Sequence, residues 1–457
     1  MRPHLRTALA TAVAGTVAAA LAGGLPTAVA APASAAAARH ADDFNGDGHR
    51  DYARQDDSMN GRPGGAVQVT YGTATGPGTK VQYIHQGSAG VPGADEDGDN
   101  FGASLAHADL DSDGYADLVV GSPWEDVNGR ENQGGVTILW GSASGLSGGT
   151  AVPNKAPGEY RNFGRDVATG DFTGDGKADL AAVDVLATSV HRGGFSRSGT
   201  TGSVTRHVPA VGTVLEPVSL VAGRVTNDKA TDLVVLGQGY ANDKQTSSAL
   251  FLRGGSTITR GKLLHHNTSR ANWSAEGVIA DFDGNGYGDI AIEDPYHSGV
   301  KGAVTVWRGG STGPGTTYRL TQDTAGVSGA SENGDAFGVD VSAGDVDGDG
   351  YPDLAIGANE EDVDGRVDAG MVHILRGGSS GLTGAGSQAF TLATSGVPGT
   401  MGADTYFGWW VRLRDADRDG KADLFTYSSL NNLLFKGTAS GITTTGVQES
   451  LRADFAQ

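Results

Sequence analysis

The stretch Asp345-Val346-Asp347-Gly348-Asp349-Gly350-Tyr351-Pro352-Asp353 puts carboxylates at positions 1, 3, 5 and 9 of a nine-residue loop, with glycine at position 6. Five other stretches repeat it. Their oxygen-bearing positions are Asp43, Asn45, Asp47 and Asp51; Asp109, Asp111, Asp113 and Asp117; Asp171, Thr173, Asp175 and Asp179; Asp281, Asp283, Asn285 and Asp289; Asp415, Asp417, Asp419 and Asp423. The starts at 43, 109, 171, 281, 345 and 415 are 66, 62, 110, 64 and 70 residues apart. The long gap is about two periods, and a degraded copy, Arg224-Val225-Thr226-Asn227-Asp228-Lys229-Ala230-Thr231-Asp232, lies inside it. Six such loops at a near-constant period are a structural repeat.

Alternate side chains of a tight loop turn their oxygens toward one centre, and a glycine allows the reversal that points the next carbonyl inward. The calcium loop of the EF-hand uses this scheme. Here the last carboxylate comes at position 9 rather than 12, and strand-like runs such as Leu118-Val119-Val120 follow instead of helices. The pattern predicts calcium at all six loops, with the position-7 residues His49, Tyr115, Lys177, Tyr287, Tyr351 and Lys421 contributing backbone carbonyls. The four-aspartate loops at 109, 345 and 415 are expected to bind most strongly, because Asn45, Thr173 and Asn285 lower the ligand charge elsewhere. In the degraded copy Arg224 and Lys229 replace the first aspartate and the glycine, so that copy is expected to hold no ion. Asp and Gly also make ordinary turns, but turns do not need this set of carboxylates six times.

The N-terminus reads as a secretory signal over residues 1–30. Arg2 and Arg6 precede an alanine-rich stretch from Ala8 to about Ala22, and Ala28-Val29-Ala30 fits a cleavage site, with Ala33-Ser34-Ala35 as the alternative. Residues 31–40 read as a linker, and no other apolar run has the roughly 20 residues of a membrane span. A secreted protein is expected, as a monomer. It has no cysteine, so calcium is the plausible substitute for disulfide staples. The formal charge is −20, and 21 of the 53 acidic residues sit in the six loops. That balance disfavours nucleic-acid binding, which needs a basic footprint. The 74 glycines suit a turn-rich β protein.

Each period has the same order of parts. A Phe-Gly step comes first (Phe101-Gly102, Phe163-Gly164, Phe337-Gly338, Phe407-Gly408), then the acidic loop, a buried strand, a variable loop, an alternating strand and a Gly/Ser/Thr turn. Seven units of about 60 residues, each with room for four short strands, predict an all-β, seven-bladed β-propeller over residues 41–457. The first unit lacks a Phe-Gly strand, and the tail 448–457, with Phe455, is expected to supply it and close the ring.

The Phe-Gly step, the D-x-D-x-D-G-x-x-D loop and Gly121-Ser122-Pro123 resemble FG-GAP repeats, found in the integrin alpha-chain propeller and in secreted bacterial proteins. Gly357-Ala358-Asn359 and Glu293-Asp294-Pro295 match the second half of that motif only partly. The resemblance covers essentially the whole of residues 41–457 and implies a propeller with calcium on the six loops. It leaves adhesion, lectin and enzyme-associated roles open, and nothing in the sequence implies the partner chain that integrins use.

No catalytic residue is assigned. Gly377-Gly378-Ser379-Ser380-Gly381 fits G-x-S-x-G, but the equivalent turns read Gly72-Thr73-Ala74-Thr75-Gly76 and Gly437-Thr438-Ala439-Ser440-Gly441, and no histidine follows His373. His265-His266 reads as a surface pair. Trp273, Trp307, Trp409 and Trp410 are sugar-stacking candidates that fit blade cores better. Two acidic insertions, residues 124–130 and 360–366, occupy the same place in their units. Related approach segments, 95–99 and 331–335, precede them, and both insertions are expected to project from one face as recognition loops. The leading functional expectation is a calcium-stabilised extracellular binding or scaffold module for a protein or glycan. An exported hydrolase and a repeat lectin are the alternatives; the lectin would need a recurring aromatic, and Tyr115, Tyr287 and Tyr351 recur only in part.

Overall fold

The run after each acidic loop is apolar at consecutive positions, so a strand there must bury both faces. The computed structural model describes residues 40–56, 64–209, 215–241, 244–267 and 276–456. The signal and linker readings (except at His40), Trp273 and the side chains of His265 and His266 lie outside what is described. The described strands all belong to one unit, residues 36–457. They form seven antiparallel sheets, six of four strands and one of three. Blade 2 is typical: Ser104–Ala108, Asp117–Ser122, Gly135–Trp140 and Ser147–Ala151 pair in sequence order. The second strands of blades 2 to 7 begin on position 9 of their loops: Asp117–Ser122, Asp179–Asp184, Asp232–Ala241, Asp289–Asp294, Asp353–Ala358 and Asp423–Tyr427.

Seven apolar clusters lie between adjacent blades, and no single core unites them. Leu118 and Val120 pack toward blade 1, while Val119 packs toward blade 3. Likewise Leu233 and Val235 meet blade 3, while Val234 and Leu236 meet blade 5. The two-residue period thus loads both interfaces at once. Phe101, Phe163, Phe337 and Phe407 plug the interface with the preceding blade and are fully buried. Each such burial contributes roughly 1.5–3 kcal/mol. The glycines that follow them lie at φ of +99°, +86°, +89° and +91°, where another residue would be strained.

Among the described residues blade 1 has three strands, Tyr52–Gln55, Val67–Thr73 and Gly76–Ile84. The expected closing tail needs one correction. Gln448 and Glu449 belong to the outer strand of blade 7, Gly441–Glu449, and the closing contact comes from later residues. The Ala456 N–H donates to the Ala53 carbonyl at 2.9 Å. Ala453 and Phe455 are buried with Tyr52 and Phe425. Among the described residues the only helix is His297–Val300, one irregular turn, and no helix is long and apolar enough to cross a membrane. A third strand of blade 3, Ala187–His191, escaped the sequence pattern because it is short and carries Thr188, Ser189 and His191. The innermost strands surround a central cavity of about 940 Å³.

Candidate metal loops and the opposite face

All six intact loops join the first position of a blade to its second strand, on one face of the ring. The position-6 glycines Gly48, Gly114, Gly176, Gly286, Gly350 and Gly420 have φ between +80° and +94°. Each of their N–H groups donates to the position-1 aspartate, at 2.7–3.1 Å. The N–H groups of His49, Tyr115, Lys177, Tyr287, Tyr351 and Lys421 donate to the position-5 side chains Asp47, Asp113, Asp175, Asn285, Asp349 and Asp419.

The position-9 aspartates are buried and have a second task. Asp117 accepts from the Leu110 N–H on one oxygen and from the Gly141 N–H, in the turn after the third strand, on the other, both at 2.9 Å. Asp51, Asp179, Asp289, Asp353 and Asp423 hold Gly72, Gly193, Gly309, Gly377 and Gly437 in the same way. So does Asp232 of the degraded copy, toward Gly254. Burial, the largest cause, pushes Asp51 and Asp117 up to about 7 and Asp289 and Asp353 to about 6.

The donor sets fit a hard cation best where four aspartates are present. Oxygens of Asp109, Asp111 and Asp117, of Asp345, Asp347 and Asp353, and of Asp415, Asp417 and Asp419 lie within 4.8 Å of one another. No such triple forms at the loops starting at 43, 171 and 281, where Asn or Thr takes one place. Four buried oxygens at loop positions have no hydrogen-bond partner: Asp43 Oδ1, Asp111 Oδ1, Thr173 Oγ1 and Asp289 Oδ2. Unpaired buried oxygens of this kind are costly unless an ion or water meets them. A basic side chain stands at the rim of each triple. Arg197 reaches Asp113 at 3.2 Å, Arg376 reaches Asp347 at 2.5 Å, and Lys436 reaches Asp417 at 2.9 Å. At the loops starting at 109 and 345 one cation faces four carboxylates; the loop at 415 also holds Arg418 and Lys421, the latter 3.3 Å from Asp419, so its negative excess is the smallest of the three. In the degraded copy Arg253 stands 3.1 Å from Asp228.

Two features escaped the sequence reading. Position 2 of every copy is apolar and buried in an interface: Phe44, Leu110, Phe172, Val225, Phe282, Val346 and Ala416. The signal was present, an apolar residue between two polar ones seven times. The turns after the third strands also reach back to the preceding blade. The Ser142, Gly255, Gly310 and Gly378 N–H groups donate to the carbonyls of Phe44, Phe172, Val225 and Phe282. The turn holding Ser379 is therefore one of a set of blade-to-blade stitches.

The opposite face carries the Phe-Gly steps and the loops between second and third strands, including both acidic insertions. Their tips project, with Val127 bridging Arg130 and Val363 bridging Arg366. One glutamate in each does not. Glu125 and Glu361 are 7% and 6% exposed and accept from Gln86 and Gln322. Burial first, and neighbouring acids after it, push both to about 7. Exposed apolar side chains gather on this face instead. Trp124, Tyr160, Leu186, Tyr296, Val367, Trp409 and Leu430 are seven of the eleven large ones among the described residues. Trp307 is buried as expected, but Trp409 is 42% exposed and stacks beside Tyr406 and Trp410. Trp410 continues to Tyr427, with the Arg452 guanidinium 5.1 Å from its ring centre, at the cavity wall.

Blades, loops and Phe-Gly steps define a seven-bladed β-propeller with an acidic loop in nearly every blade. The family model described as FG-GAP repeat matches residues 101–139, 163–183 and 337–375. A phosphatidylinositol-glycan-specific phospholipase D from Bos taurus is 28% identical over 380 residues, which is 72% of this chain and 43% of that protein. Integrin alpha-PS2 from Drosophila melanogaster is 26% identical over 266 residues, 57% of this chain and 15% of that one. The chain thus spans less than half the length of these relatives. Among solved structures, the V. cholerae biofilm matrix protein Bap1 aligns over 89% of this chain and 81% of its own, with 12% identity and a TM-score of 0.38. The chain carries FG-GAP repeats at these three places within an all-β, seven-bladed propeller, and it is similar to integrin alpha chains.

Proposed function

We propose that this is an exported, calcium-stabilised binding module that takes a protein or glycan ligand on the face bearing the Phe-Gly steps. The observation that carries the reading is the concentration of exposed aromatic and apolar side chains on that face, above a rigid ring. Scaffold loops carry recognition more often than the scaffold, and exposed Trp and Tyr are the usual energetic anchors. The unpaired oxygens of the opposite face support calcium there as a structural ion. Binding would be measured on arrays of glycans and of extracellular proteins, followed by affinity measurement. Trp124→Ala and Trp409→Ala are expected to weaken the ligand found by about tenfold or more each. Unaltered affinity in both variants would place recognition elsewhere. Export is checked by N-terminal sequencing of protein from the medium, expected to begin at Ala31 or Ala36.

A further inference from the structure

We propose that the insertions of blades 2 and 6 each hold a divalent cation of the calcium class, on the face opposite the six acidic loops. In blade 2, Gln86 donates its amide to Glu125, and the amide oxygen of Gln86, a residue 5% exposed, is left without a partner. In blade 6, Gln322 donates to Glu361 at 2.6 Å, and its own oxygen, on a residue 2% exposed, is unpartnered as well. Beside these lie Asp99 and Asp335, each 3% exposed, each with one carboxylate oxygen taken by the backbone N–H of Glu96 or Glu332. Asp126 and Asp362 begin the hairpin tips and accept from Asn132 and Asp368. A glycine closes each pocket. A Cβ on Gly93 or Gly329 would meet first the amide nitrogen of Gln86 or Gln322, at 2.3 and 2.8 Å, and then the second carboxylate oxygen of Glu125 or Glu361, at 3.2 Å.

The chain therefore buries the same acceptors twice, two carboxylates and an amide oxygen, with no donor for that oxygen. Such a set is costly alone and is the hard-oxygen environment calcium takes, with water completing the shell. Magnesium, which demands near-octahedral geometry and sheds water reluctantly, suits it less. The set also disappears as a unit. Blade 7 has Leu392 where Gln86 and Gln322 stand and Thr405 where Asp99 and Asp335 stand. Its short turn between second and third strands, Ser428-Ser429-Leu430-Asn431, has no acid. Thr405 there satisfies itself on the Ala369 carbonyl at 2.8 Å.

The test is calcium stoichiometry by native mass spectrometry on the full chain. Glu125→Gln together with Glu361→Gln is expected to lose two calcium equivalents while the ions of the six loops remain. Asp111→Ala and Asp347→Ala instead remove loop ions, so the two readings fail separately. An unchanged count in the double Gln variant overturns the proposal. Should that variant not fold, terbium luminescence excited through tryptophan decides. Trp124 adjoins Glu125 and is 51% exposed, so Trp124→Phe spares the fold. Losing part of the sensitised emission, with the share from Trp140 and Trp307 retained, supports the site, and emission identical to wild type overturns it.

Discussion

Asp232 separates two roles that the repeat superimposes. In the intact copies the position-9 aspartate stands with the candidate ligand positions and also fastens its loop to the turn after the third strand. In the degraded copy the ion positions are gone, yet Asp232 is fully buried and still accepts from Thr226 and Gly254, at 2.8 Å each. The fastening is therefore independent of metal. Asp232→Ala leaves two buried N–H groups unpaired and should destabilise by about 2–4 kcal/mol, with or without calcium. Asp228→Ala removes one partly exposed ion pair with Arg253 and one hydrogen bond from the Ala230 N–H, and should destabilise by about 1 kcal/mol or less. Urea titration of both variants in EDTA checks this; equal effects would mean the clamp does not exist. The sequence alone made position 9 look like a ligand only. Its survival in the seventh copy was the available sign that it also does structural work, whereas the partners Gly141 and Gly254 lie far along the chain and follow only from the blade geometry.

At the scale of loops and strands, much was legible because the chain repeats. The second strands, the sharp glycine and the apolar filling of the ring follow from period and alternation. The direction of the acids on the opposite face did not. Glu125 and Glu361 look like solvated charges in sequence, and what turns them inward is a glutamine 39 residues earlier in each case. The buried loop carboxylates also set a pH dependence. Asp51 and Asp117 titrate at about 7 when folded and near the ordinary carboxylate value when unfolded. The metal-free fold therefore takes up protons more readily than the unfolded chain, and the stability this gives is lost as pH rises through 7. The buried His107, His191 and His373, held down to about 4 by burial, stay neutral in this window. In EDTA the melting temperature should fall between pH 7 and 8, and saturating calcium should flatten that slope. A melting temperature that rises over the same interval in EDTA would contradict the burial of these acids.

The ring as a whole ties the loops to one another. The carbonyl of position 1 accepts from position 8 of the next blade's loop: Asp43 from Ala116, Asp171 from Thr231, Arg224 from Gly288 and Asp345 from Ala422, at 2.7–3.0 Å. Position 2 of each loop is buried in the adjoining interface, so an ion that fixes one loop also fixes the packing between two blades. The cysteine-free chain has no covalent alternative. An ion bound only by the folded state contributes about 2.7 kcal/mol per site at a hundredfold excess over its dissociation constant. With the three aspartate-rich loops filled, EDTA should lower the melting temperature by on the order of 10 °C or more, and added calcium should restore it. Asp111→Ala or Asp347→Ala should each remove part of that difference. Phe455→Ala should act on the other closure of the ring, where Phe455 meets Tyr52 and Phe425 with ring centres 5.1 Å apart. Its loss should cost about 3–5 kcal/mol regardless of calcium. If EDTA left the melt unchanged while Phe455→Ala lowered it, the ring would be held by its interfaces alone and the acidic loops would not be sites of stabilising metal.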